Sequence, residues 1–272
     1  MLLFAVHPVA FRDPFDRASP PPRIVAVIPA RYHSTRFPGK PLAEIAGRAM
    51  IELVYRRAAA ARGVDAVVVA TDDARIALTV EGFGGIVRMT RSIHRTGTDR
   101  IAEVAADLAC EIIVNVQGDE PLVEPQMITQ VIAPLEADPS LQMSTVRRLI
   151  SDPQEYTSPH VVKVVSDRDG NALYFSRAPI PSVRGSIYDA AGMTRPMYKH
   201  IGLYAYRREF VLMFTTLPQS DLEVAESLEQ LRALEHGFRI RTVETQHDSI
   251  GVDTPEDLER VRRHLLAAPA RA

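Results

Sequence analysis

The chain has one cysteine, no tryptophan and only 6% aromatic residues in its 272 positions. Cys110 alone cannot form an intrachain disulfide, fits a reducing compartment, and reads as a plain buried apolar residue. Neither sign of charge is in excess, because 32 Lys and Arg stand against 34 Asp and Glu, for a formal net charge of −2. That balance excludes a global attraction to nucleic acid, so any cationic segment must act locally. No stretch reaches the roughly 18 consecutive apolar residues of a membrane span. Met1–Val6 is too short for a signal core and no cationic segment precedes it. The expectation is a cytoplasmic protein with no nucleic-acid and no membrane partner. What is present is 46% hydrophobic and 24% charged residues, enough to build a substantial core. The length suits one large domain, or a domain with an appended lobe.

Residues 1–22 end in Pro20, Pro21 and Pro22 and read as a poorly ordered arm, with the fold starting at Arg23. Apolar runs then predict strands at Ile24–Ile28, Ala66–Ala70, Ile86–Met89, Ile112–Gln117 and Met143–Leu149. Helical spacing between them predicts helices at Met50–Arg62, Ala74–Phe83, Thr98–Leu108 and Pro125–Ala137, with Gly63 suited to follow the first. Strands apolar on both faces, alternating with helices, imply a layered α/β fold around a mostly parallel sheet. Beyond residue 150 the pattern changes. Val161–Ser166 and Asn171–Ser176 flank "DRDG", a hairpin signal with Asp169 and Gly170 in the turn. A strand at His200–Tyr206, a helix near Leu222–His236, a strand at Arg239–Val243 and a helix at Pro255–Leu266 close the chain. One domain, 23–272, carrying an antiparallel insertion over roughly 150–205, accounts for this order.

Chemistry concentrates behind the first strand, in "VIPARYHSTRFPGKPL". A dinucleotide fold would place G-x-G-x-x-G here and a P-loop would need an earlier Gly and a Ser or Thr after Lys40; neither is present. Two readings remain: a solvated surface loop, or a loop that wraps a polyphosphate with Arg31, Arg36 and Lys40. "NVQGDEP" puts Gln117, Gly118 and Asp119 just past a strongly apolar strand, where ligands bind in open α/β sheets. Asp119 serves either a turn or a Mg²⁺ ion, which prefers one or two carboxylates plus substrate phosphates. In "GVDTPEDL", Thr254, Pro255 and Asp257 fit the N-cap, N1 and N3 positions of the last helix. Capping leaves Asp253 unexplained. Cations on one loop and two carboxylates at element ends suit magnesium-assisted nucleotidyl transfer.

Eight segments in order ("IPARYHSTRFPGKPL", "VATDD", "NVQGDEP", "VVKVV", "ALYFSRAPIP", "KHIGLYAYR", "LEQLR" and "GVDTPEDLERVR") closely resemble the 3-deoxy-manno-octulosonate (Kdo) cytidylyltransferases. The resemblance runs from Ile24 to Leu265 and implies a Rossmann-like α/β/α nucleotidyltransferase fold. It implies CTP and Kdo as substrates, Mg²⁺ as cofactor and a homodimer. By position, it implies Arg31, Arg36 and Lys40 on the triphosphate, the Pro29–Ala30 backbone near cytosine, and Thr71 and Gln117 lining the nucleotide pocket. Asp119 and Asp253 match magnesium ligands. Arg177, His200, Tyr204, Glu229 and Gln230 match a sugar-acid pocket, where a guanidinium suits a carboxylate and the others suit hydroxyls. Ser158, Pro159 and His160 replace an expected Asn-rich lead, and Ser182–Arg195 matches nothing in the pattern. A related acid, such as 8-amino-Kdo or a sialic acid, and a non-catalytic nucleotide-binding protein are the alternatives.

Overall fold

Strand β1 (Ile24–Ala30) is buried along almost its whole length, as a run of branched apolar residues with neighbours on every side must be. In the computed structural model, which describes Pro14 and residues 20–33, 36–189 and 192–267, this strand is the centre of the first of two compact units. The expected arm at residues 1–22 falls mostly outside the described residues. The first unit comprises Met1–Pro125 and Ser249–Ala272; the second is Gln126–Asp248.

In the first unit, β1 leads through a 3-10 turn at Lys40–Leu42 to a minimal hairpin, β2 (Glu44–Ile45) and β3 (Arg48–Ala49). There follow α1 (Met50–Ala59), β4 (Ala66–Thr71), α2 (Ala74–Gly82), β5 (Ile86–Met89), α3 (Gly97–Ala106) and β6 (Ile112–Asn115). The sheet order is β6-β1-β4-β5 and every pairing is parallel, with Val27 opposite Val68 on one side and Asn115 on the other. Parallel neighbours need crossovers, and α1, α2 and α3 pack on these strands to provide them. The mostly parallel sheet read from the sequence is therefore present. Most boundaries move by one or two residues, and two differences are larger or structurally informative. Strand β6 stops at Asn115; Val116 N–H still donates to the Val27 carbonyl at 3.2 Å, and Gln117 opens the turn that Glu120 N–H closes on its carbonyl at 3.2 Å. Helix α1 stops at Ala59 with Ala60 as C-cap, and Gly63 (φ 91°) serves the turn beyond it rather than the helix end.

The second unit opens on α4 (Pro125–Ala137) and β7 (Met143–Leu149), then α5 (Pro153–Thr157), β8 (Lys163–Ser166) and β9 (Ala172–Ser176). The short β10 (Tyr188–Asp189) and β11 (Gly192–Met193) precede β12 (Tyr198–Arg207), α6 (Arg208–Phe214), α7 (Asp221–Glu226), α8 (Gln230–Glu235) and β13 (Ile240–Thr245). Here β7 pairs parallel with β13 and antiparallel with β12, β12 pairs antiparallel with β8, and β8 with β9. The last helix, α9 (Pro255–Ala267), returns to the first unit.

Three points of the sequence reading are changed or extended in this second unit. The hairpin β8–β9 is not a lone ribbon: it joins the sheet through β12, and Val164, Ala172 and Phe175 are buried in the same subunit. Val164, 1% exposed, is thus taken up within this chain and does not face a second one. The continuous helix at Leu222–His236 is instead two short helices, because Ser227 adopts a left-handed conformation with φ 54°. The stretch 182–195 is anchored where described: Val183, Ile187 and Met193 pack on a cluster of Ile150, Tyr156 and Met197.

Candidate active site

At the exit of β1 the chain must turn while keeping its cations in reach of solvent. Gly39 achieves this with φ 73°, its N–H donating to the Tyr32 carbonyl at 2.9 Å. A Cβ on Gly39 would sit 3.2 Å from the Tyr32 ring, so glycine is required by both conformation and space. Lys40 follows in the 3-10 turn, its side chain 12% exposed. Its Nζ lies 2.7 Å from Asp119 Oδ2 and 3.4 Å from Asp253 Oδ1, while Arg36 Nη2 lies 3.2 Å from Asp253 Oδ2. Arg31 is exposed and forms no ion pair with any described residue.

Two local devices deliver the carboxylates. After β6, Gly118 passes so close to β1 that a Cβ would lie 2.8 Å from the Pro29 carbonyl oxygen. The glycine is needed for backbone approach, and it sets Asp119 at the strand ends. At α9 the reading of the cap holds: Asp257 N–H donates to Thr254 Oγ1 at 3.3 Å, and Thr254 N–H to Asp257 Oδ2 at 3.1 Å. With those groups engaged, Asp253 is left to face the cations. Val252 N–H donates to the Asp119 carbonyl at 2.9 Å, and Glu120 accepts from the Ser249 hydroxyl, so the two acidic segments are tied to each other.

One ammonium thus sits between two carboxylates from segments more than a hundred residues apart. That donor set fits a divalent hard cation, since two carboxylates from separate segments converge on a single positive charge.

On the other side of β1, Ala30 pairs with Thr71, which is fully buried. Its hydroxyl accepts from Asp73 N–H at 3.2 Å, which makes Thr71 a brace for the β4 exit. Gln117 is oriented by a 2.9 Å bond from its Nε2 to Asn115 Oδ1. The segment Thr96–Arg100, absent from the residues picked by sequence, lies beside them. Gly97 packs against Pro29, and Arg100, 4% exposed, pairs with Asp72 at 3.3 Å and donates to Thr90. The Thr96–Asp99 capping box, not singled out in the sequence, starts the helix here at Gly97.

The second unit gathers the remaining candidates. His200 on β12 stacks edge-on against Phe175, centroids 4.9 Å apart, and lies 5.4 Å from the Tyr204 ring. Its Nε2 is 2.9 Å from Thr145 Oγ1. Burial drives the imidazole pKa down to about 3, so the ring is neutral. Burial, and then the nearby Glu229 carboxylate, push the Tyr204 phenol well above its ordinary range. Gln230 is 5% exposed, and its buried Nε2 has no hydrogen-bond partner among the described residues. Arg177 is held differently. Its Nε donates to the Glu226 carbonyl at 3.0 Å and its Nη1 to the Pro159 carbonyl at 3.3 Å.

Two residues missed by the sequence reading hold this arrangement. Lys163, fully buried, donates from Nζ to the carbonyls of Ser158, Val161 and Arg177 at 2.8, 2.6 and 2.6 Å. Burial, then the Arg177 charge, lower its pKa. Because carbonyls do the accepting, the unexpected Ser158-Pro159-His160 sequence leaves this cage intact. Glu226 accepts from Ser176 Oγ at 2.5 Å and from Arg177 N–H at 2.9 Å, which stops the helix just before Ser227.

A layered α/β fold with a cation-carboxylate cluster at the ends of parallel strands defines a nucleotidyltransferase-type protein. The cytidylyltransferase family model matches residues 25–242, so the chain belongs to that family. Within it, the 3-deoxy-manno-octulosonate cytidylyltransferase of Syntrophotalea carbinolica is 58% identical over 245 residues, 89% of this chain and 98% of its own length. The enzyme of that name from Geobacter sulfurreducens is 58% identical over 248 residues, 89% of this chain and 99% of its own. A solved CMP:2-keto-3-deoxy-manno-octonic acid synthetase, complexed with CTP, superposes with a TM-score of 0.84 at 44% identity, covering 90% of this chain and 98% of that one.

Proposed function

We propose that the protein transfers CMP from CTP to the anomeric hydroxyl of Kdo, giving CMP-Kdo and pyrophosphate for lipopolysaccharide synthesis. The observation that carries this is the convergence of Arg36 and Lys40 on Asp119 and Asp253. The sugar oxygen forms a bond to the α-phosphorus, the bond from that phosphorus to the β-phosphate oxygen breaks, and the hydroxyl proton leaves to solvent. Arg31, Arg36 and Lys40 neutralise the triphosphate and the departing pyrophosphate. The Pro29–Ala30 backbone, Thr71 and Gln117 orient the nucleotide. Asp119 and Asp253 would hold Mg²⁺, which supplies charge neutralisation and acidifies a coordinated hydroxyl. Arg177, His200, Tyr204, Glu229 and Gln230 receive the sugar acid, with Arg177 on its carboxylate.

We place the enzyme in the cytoplasm, where CTP is made; among the described residues no helix is long and apolar enough to cross a membrane. A homodimer is part of the reading, with the outer face of β9 as its contact, since Leu173 there is 61% exposed. Leu173→Glu should leave folding unchanged and shift sedimentation from dimer toward monomer. A wild-type monomer at micromolar concentration would remove the dimer from the proposal. The function itself is tested by CTP-dependent pyrophosphate release with Kdo, 8-amino-Kdo and a sialic acid as acceptors. Release with Kdo above the others supports it, and release with none of them overturns it.

A further inference from the structure

Thr145 lies on β7 and is fully buried. Opposite it, β12 carries an irregularity: Ile201 pairs with Val146 and Tyr204 with Thr145, so Gly202 and Leu203 are extra residues in that step. The carbonyls of Ile201 and Leu203 at the irregularity both lie near the threonine hydroxyl. Thr145 Oγ1 lies 2.9 Å from the Leu203 carbonyl oxygen and 3.4 Å from that of Ile201. On its third side is His200 Nε2, at 2.9 Å.

A hydroxyl has one proton to give and lone pairs to receive with. A carbonyl can only accept, so the Thr145 proton goes to Leu203, the nearer of the two. Were it turned to His200 instead, two oxygen lone pairs would face each other at 2.9 Å at a fully buried threonine. His200 must then donate, which places its proton on Nε2. The other ring nitrogen, Nδ1, keeps a lone pair and makes no hydrogen bond to any described residue. Phe175 packs edge-on against the ring. The imidazole is thus fixed in rotation and in tautomer.

We infer that Thr145 sets His200 as the Nε2-protonated neutral tautomer, so that His200 presents a hydrogen-bond acceptor to the sugar acid and reads one of its hydroxyl groups rather than its carboxylate. This rests on the proposed function for the identity of the ligand, but the tautomer does not. Thr145 is a positioning residue, acting through His200. It also divides the labour of recognition: the anionic group is left to a cation such as Arg177, and discrimination among acids falls to a neutral acceptor. A site that accepts from a hydroxyl disfavours an analogue without it, because a buried lone pair then stays unpaired.

The test is ¹⁵N spectroscopy of the histidine-labelled protein at neutral pH, with His200 assigned by its disappearance in His200→Gln. Wild type should show a pyrrole-type Nε2 and a pyridine-type Nδ1, and Kdo should shift Nδ1. Thr145→Val should lose this fixed pattern and raise the KM for Kdo about tenfold with CTP affinity unchanged. Thr145→Ser, which keeps the hydroxyl, should restore both. A protonated Nδ1, or a doubly protonated ring, in wild type overturns the inference whatever the activity. The expected tautomer with Kdo bound but Nδ1 unmoved overturns the hydroxyl contact. If Kdo does not bind at all by calorimetry, the proposed function falls together with that contact.

Discussion

The two units handle polar groups in opposite ways. In the first, Arg36, Asp119 and Asp253 are partly open to solvent, with only Lys40 largely covered, and their interactions are between full charges at 2.7–3.4 Å. In the second, the groups around the sugar-side candidates are half-buried or buried, and neutral or cancelled in place: His200 loses its charge, Tyr204 keeps its proton, and Lys163 is caged by carbonyls. Exposed charges cost little to leave unpaired when a ligand comes and goes, which suits a polyphosphate and an exchangeable cation. Buried groups are costly to leave unpaired, which suits recognition of one arrangement of hydroxyls. The difference predicts that charge-removing changes in the first unit harm turnover, whereas equivalent changes in the second harm stability or acceptor use.

The largest effect should come from the carboxylates. Asp119→Asn and Asp253→Asn should each lower turnover at least ~100-fold with an unchanged circular dichroism melt. Normal turnover in either folded variant at saturating Mg²⁺ would erase the proposed division. Next is Lys163→Met. It leaves three carbonyls without their donor, so a loss of about 3 kcal/mol in urea unfolding is expected. If that variant melted like wild type, the second unit would not depend on internal satisfaction as argued.

A smaller effect is expected at the boundary between the two behaviours. Arg177→Lys retains charge but loses the fork that spans the Glu226 and Pro159 carbonyls. The KM for Kdo should rise about tenfold while CTP binding by calorimetry stays constant. A collapse of CTP affinity instead would move Arg177 to the nucleotide.

The mildest test is of pH. His200 titrates near 6.5 when unfolded and near 3 in the fold, so the unfolded chain binds the extra proton between those values. Its contribution to stability is complete above about pH 6.5 and is lost as pH falls toward 3. The groups around it do not reverse this: Thr145 is uncharged and Tyr204 stays protonated, with the Glu229 carboxylate acting on that phenol. His200→Gln should therefore flatten the fall of the urea midpoint on acidification, and an unchanged slope would argue against the buried neutral ring.

The cation–carboxylate cluster of the first unit was far more legible than the candidate cluster of the second. Arg36, Lys40 and the flanking turn occupy one contiguous motif, and capping logic at Thr254, Pro255 and Asp257 isolated Asp253 as the leftover carboxylate. Such signals act over three or four residues. The Leu222–His236 helix was misread for the opposite reason: its periodicity is sound locally, but Glu226 is claimed by Ser176 and Arg177, fifty and forty-nine residues away. Thr145 and Lys163 gave no sign of their roles, since a Thr in a strand and a Lys among valines look like ordinary β residues.

What the sequence by itself determined was the alternation of strand and helix, the cationic loop and the pair of carboxylates, because periodicity, glycine placement and helix capping are short-range physics. Tertiary structure alone decided that Lys40 bridges Asp119 and Asp253, that Lys163 is caged, and that Thr145 hands its proton to a carbonyl and leaves His200 to donate. Those outcomes depend on which lone pairs and protons are brought within 3 Å of each other once water is excluded, and only the folded chain sets that company.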